Sequence, residues 1–101
     1  MVQTTKIMLV TVIAAYELQD RLKHDLGALG VKGYSVGKVD GLGVHGPRTV
    51  GLADAPNQRI EMLVHAPLAQ KILHQVTSHY QGQAIIAYMH PVEAVPHEQF
   101  A

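Results

Sequence analysis

The chain has 101 residues, 48% of them hydrophobic and 16% charged, with eight basic residues balancing eight acidic ones. This length is one domain, residues 1–101, with an ordered core and a surface that invites packing against copies of itself. The neutral balance excludes a broad field for capturing nucleic acid or an anionic membrane, and the absence of cysteine excludes disulfides and thiolate metal sites and fits a reducing cytoplasm.

From Thr5 to Ile13 aliphatic and β-branched residues occupy both faces, predicting a strand covered by helices on one side and by another subunit on the other. The run from Ile7 to Ala15 is interrupted by Thr11 and lacks the layout of a signal peptide or membrane span. Leu18, Leu22, Leu26 and Leu29 then follow at helical spacing, with Glu17 placed to pair with Arg21. Gly30 stands where a left-handed helix cap belongs, and Gly33 to Asp40 resumes an extended pattern.

Eight of the nine glycines lie between Gly27 and Gly51. Within that region, residues 41–56 hold four glycines and two prolines, which is too long for a hairpin turn and too poor in apolar residues to pack as an element. This segment reads as a flexible functional loop. Arg59 to Val64 is strand-like. Pro67 suits the first turn of a helix carrying Leu68, Ile72, Val76 and Tyr80 and ending near Gly82. Ala84 to Met89 is a last strand, Pro91 weakens any central continuation, and the tail from residue 96 to 101 has no pattern.

The order strand, helix, strand, loop, strand, helix, strand is the α+β ferredoxin-like βαββαβ arrangement. That arrangement hosts many functions, so the candidate site has to come from particular residues.

Gly41-Leu42-Gly43-Val44-His45-Gly46 has the glycine spacing of a dinucleotide-binding turn, but Pro47-Arg48-Thr49 does not open the helix such a turn requires. No Gly-Lys-Ser or Gly-Lys-Thr occurs, so there is no P-loop. Glycines do let successive N–H groups converge on an anion, and Lys32, Lys38, Arg48 and Arg59 are near enough in sequence to neutralise phosphate. Two readings stand on the residues alone: a phosphate-bearing ligand, or a solvated surface loop.

Other chemistry is thinly supported. The seven histidines include His74 and His79, which are five apart and do not share a helix face, and solvated or core histidines are the ordinary reading. Paired carboxylates such as Asp20 with Asp25, or Glu93 with Glu98, fall on surface segments, and Ser35 has no adjacent base. No catalytic residue and no metal ligand is assigned.

Gly30-Val31-Lys32-Gly33-Tyr34-Ser35-Val36, leading from a helix into a strand before a long loop, resembles the start of the PII ligand loop. Arg59-Ile60-Glu61-Met62-Leu63-Val64 is similar to the strand that closes it. PII proteins that grip ATP carry a glycine-aspartate-glycine-lysine turn before the last strand, where this chain has only Gln81-Gly82-Gln83. It also lacks their arginine-bearing C-terminal segment and the modifiable loop tyrosine. The resemblance is therefore nearer to the PII-like proteins associated with bicarbonate transporters and carboxysomes.

That resemblance implies a cytoplasmic, non-catalytic homotrimer, with AMP or ADP, or else ATP or cyclic AMP, in clefts between subunits and a regulated partner in inorganic-carbon metabolism. Gly33, Tyr34 and Ser35 would approach the nucleotide, Gly41, Gly43, Gly46 and Arg48 would surround its phosphate, and Leu63 would line the adenine pocket. Lys38 or Arg59 would hold bicarbonate. The competing readings are a ferredoxin-like small-molecule enzyme, which needs a closed apolar cavity, and a trimeric metal-tolerance protein using histidines.

Overall fold

The computed structural model describes residues 1–39 and 57–101, together with the backbone of residues 42–43 and 46–47. Its elements are β1 (Thr5–Ala15), α1 (Gln19–Leu29), β2 (Ser35–Val39), β3 (Leu42–Gly43), β4 (Gly46–Pro47), β5 (Asn57–Val64), α2 (Ala66–His79) and β6 (Ile86–Ala94), with a single 3-10 turn at Tyr16–Leu18 before α1. Among the described residues, four strands form an antiparallel sheet in the order β2-β5-β1-β6, while β3 and β4 pair only with each other. This is the expected ferredoxin-like α+β fold.

The two central strands carry the core. Val10, Val12 and Ala14 of β1 and Ile60, Met62 and Val64 of β5 alternate onto one face, where they meet Leu22 and Leu26 of α1 and Ala69, Ile72 and Val76 of α2. A buried aliphatic side chain of this kind contributes about 1.5–3 kcal/mol through area removed from water. Both expected helical stripes therefore face the sheet, with Leu18, Leu29 and Leu68 at the margins.

The end of α1 follows from its sequence. Gly30 takes φ +106°, its N–H bonds Gly27 O at 3.0 Å, and Val31 N–H reaches back to Leu26 O at 3.1 Å. This is a Schellman cap, and Val31 packs against the core beside it.

Several boundaries differ from the sequence reading. β1 runs two residues further, to Ala15, because the small side chains of Ala14 and Ala15 fit in the buried middle of the sheet. β6 continues through Pro91 to Ala94. It can do so because it is an edge strand, paired among the described residues only with β1, and proline is tolerated where a missing N–H breaks no central ladder. Helix α2 stops at His79, short of Gly82: Tyr80 turns out of the helix and packs its ring against α1. The expected Glu17–Arg21 pair is replaced, since Glu17 lies in the 3-10 turn and Arg21 reaches across to α2, donating from Nη2 to His79 O at 2.9 Å.

No helix among the described residues is long and apolar enough to cross a membrane.

Candidate functional site

Among the described residues, strand β2 lies at an edge of the sheet, bonded on one side only, to β5. It divides the candidate residues between its two ends. Gly33, Tyr34 and Ser35 stand at its start; Gly41, Gly43, Gly46 and Arg48 follow its finish. Its five residues, rising about 3.3 Å each, span roughly 16 Å.

At the starting end, Ser35 pairs with Glu61 of β5, and Leu63, two residues on, falls on the same face. Leu63 is half-buried opposite Leu9. It stands outside the helix-side core, on the open face of the sheet. Tyr34 is 41% exposed, with Lys23 Nζ 5.8 Å from its ring centroid. Ser35 is exposed as well.

At the finishing end, Gly43 pairs with Gly46 and Leu42 with Pro47, so the glycine run doubles back as a two-residue ladder. Gly41 and Arg48 lie outside the described residues, as does most of the loop expected at 41–56. The first two residues after that loop, Asn57 and Gln58, are buried, and Asn57 Oδ1 and Gln58 Nε2 have no hydrogen-bond partner among the described residues.

The two bicarbonate candidates are not brought together. Gly37 pairs with Arg59 and Lys38 with Gln58, so strand alternation places Lys38 and Arg59 on opposite faces of the sheet. Arg59 already faces Glu61, Nε to Oε1 at 4.0 Å, with both side chains more than two-fifths exposed, a geometry worth little in water.

At the other edge of the sheet, the turn Gln81-Gly82-Gln83 leads into β6. Gly82 has φ +81° and Gln83 N–H bonds Tyr80 O at 3.1 Å, which makes the turn tight. A shallow groove of about 460 Å³ runs beside it, lined by Leu73, Val76 and Thr77 of α2 and by Ile85 and Ala87. Among the described residues, no basic side chain lines it.

Among the described residues, no three histidine or carboxylate groups gather as a metal would require. Asp25, read from the sequence as a solvated carboxylate, is half-buried and accepts a hydrogen bond from Tyr80.

Sequence reasoning also missed the C-terminal tail. Residues 95–101 fold back across the sheet end, where Ala101 O accepts from His65 N–H at 2.7 Å and Gln99 covers Gly33. No periodicity marks this segment, because its partners lie far away in the chain.

The chain matches the family described as nitrogen regulatory protein P-II over residues 7–98. No curated protein matches it. Among solved structures, a protein of Thermus thermophilus described as PII-like and signaling is 30% identical, with a TM-score of 0.82 over 98% of this chain and 99% of that one. The fold is also shared with CPII from Thiomonas intermedia, bound to ADP and bicarbonate, at 19% identity and a TM-score of 0.86 over 100% of both chains. The B. subtilis GlnK-ATP complex superposes less closely, with a TM-score of 0.59 at 16% identity over 86% of this chain and 82% of that one. A match over nearly the whole chain, with a 30% identical relative over almost its full length, decides the assignment: this chain belongs to the nitrogen regulatory protein P-II family.

Proposed function

We propose that this protein is a regulatory sensor that binds an adenine nucleotide, AMP or ADP, in clefts between the subunits of a homotrimer, and that it is not an enzyme. The observation that carries this reading is the division of candidate residues along the β2 edge. One end offers an exposed tyrosine beside Gly33 and Ser35, suited to a base. The other leads into glycines 41, 43 and 46 and Arg48, suited to phosphate. A nucleotide laid along the strand would turn its base toward one end and its phosphate toward the other.

An edge strand also supports placing the cleft between two subunits. β2 and β6 bound opposite sides of the sheet, so each edge is open to a neighbouring copy. The helix-free face supports association too, since Ile86 and Tyr88 on it are 41% and 44% exposed. The neutral Gln81-Gly82-Gln83 turn offers no cation for a third phosphate, which favours AMP and ADP over ATP, with cyclic AMP a further candidate.

Bicarbonate is the proposed second ligand, in keeping with the CPII complex that holds ADP and bicarbonate. Lys38 is the better of the two cations for it, because Arg59 faces Glu61. Occupancy would order the loop at 41–56 and change its fit to a protein partner in inorganic-carbon metabolism, a population shift without chemistry.

Calorimetric titration with AMP, ADP, ATP and cyclic AMP, with and without bicarbonate, tests the reading. Saturable binding of AMP or ADP, tightened by bicarbonate and weakened at least about tenfold in Arg48→Ala, is the expected result, since a charged hydrogen bond contributes about 1.5–3 kcal/mol. Silence with all four nucleotides would overturn it.

A further inference from the structure

The tail presents an amide to the start of β2. A Cβ built on Gly33 would lie 2.8 Å from Gln99 Cδ, 2.9 Å from Nε2 and 3.0 Å from Oε1. The three distances are nearly equal, so the carboxamide lies flat against the glycine, with its donor and acceptor edges pointing sideways. Neither edge is hydrogen-bonded to any described residue, although the residue's own N–H is held by His97 Nδ1 at 3.1 Å.

The tail is fastened around this contact. Phe100 N–H bonds His97 O at 3.2 Å, the His97 and Phe100 rings stand 6.1 Å apart, and Ala101 O takes the N–H of His65, the residue that caps α2. Gln99 is therefore an exposed residue anchored on both sides. The glycine is what admits it, because any larger residue at 33 would push the amide away.

We propose that Gln99 is a ligand-reading residue of the nucleotide site, pairing the adenine base that enters beside Gly33 and Tyr34. This rests on the nucleotide reading given above. A carboxamide offers one donor and one acceptor side by side, the complement of adenine N6–H and N7, whereas guanine presents two acceptors along the same edge. Tyr34, the next residue after Gly33, supplies an exposed aromatic ring on which a purine can stack. Gln99 thus gives the site a preference for adenine that Gly33, Tyr34 and Ser35 alone do not supply.

The test is the affinity of the full-length protein for AMP and for GMP, measured by calorimetry for the wild type, Gln99→Ala and Gln99→Glu. Both substitutions are at an exposed position, and unchanged thermal melting will confirm that each variant folds. The wild type should prefer AMP, and each variant should lose about tenfold or more in AMP affinity with little change for GMP, the discrimination expected of one bidentate pair. AMP binding that is unchanged or tighter in Gln99→Ala would overturn the role of Gln99 and leave the nucleotide reading standing. Absence of nucleotide binding in the wild type would overturn both.

Discussion

Tyr80 Oη donates a 2.6 Å hydrogen bond to Asp25 Oδ2, joining the end of α2 to the middle of α1 across 55 positions of sequence. Arg21 completes the junction, its guanidinium 4.3 Å from the centroid of the Tyr80 ring and its Nη2 on His79 O. A single tyrosine thus ends one helix, fills the core and holds a carboxylate.

Removing that hydroxyl should cost stability without changing the fold. Tyr80→Phe keeps the ring and its packing but leaves Asp25 without this donor. The expected loss is about 1–3 kcal/mol, read from urea unfolding. Asp25→Asn, which keeps an acceptor oxygen, should cost less. Equal losses in the two variants would show that the charge on Asp25, and not the hydrogen bond, is what Tyr80 meets.

The same contact sets an alkaline limit. Burial pushes the Tyr80 hydroxyl above the usual tyrosine value, the Asp25 hydrogen bond and charge push it further, and Arg21 opposes them. A group whose value is raised on folding stabilises the protein fully below its unfolded value, about 10 for tyrosine, and that contribution is lost as pH rises above it. Stability should therefore fall as pH climbs beyond about 10, and the fall should be shallower in Tyr80→Phe. Parallel pH profiles for the two proteins would show that Tyr80 is not the group responsible.

Gly33→Ala probes how the tail is seated. The new methyl would meet the far end of Gln99, a flexible and exposed side chain that can swing aside, so global stability should change by less than about 0.5 kcal/mol. Amide exchange at His65, whose N–H is held by Ala101, should nevertheless speed up. Combining the change with Gln99→Ala should give less than the sum of the single effects, because the two residues share one contact.

Charge on the helix-free face should break self-association. Ile86→Lys with Tyr88→Lys places two ammonium groups where the trimer reading requires burial, and neither residue belongs to the helix-side core. Sedimentation should show wild-type trimers and variant monomers of retained secondary structure. Trimers in both would move the subunit contact elsewhere.

The fold was legible in the sequence because its elements are local and amphipathic. Leu22, Leu26, Ile72 and Val76 repeat at helical spacing and are buried, and Gly30 ends α1 as a left-handed cap must. The edge position of β6 was half legible: Pro91 signalled that it could not be central, but not that it could be crossed. Of the loop residues read as one anion site, Gly41 and Arg48 lie outside the described residues, and the pairing of Gly43 with Gly46 is what the fold adds to that reading.

Tertiary structure decided whatever depends on residues distant in sequence. Neither the Tyr80–Asp25 junction nor the seating of Gln99 on Gly33 has any local signature. Strand register alone separates Lys38 from Arg59 across the sheet, since neighbouring positions of β5 face opposite ways. Periodicity records which side of an element faces the core, a property each segment carries by itself. Which side chains meet at a sheet edge follows from how the segments pack, and that is set only when the whole chain has folded.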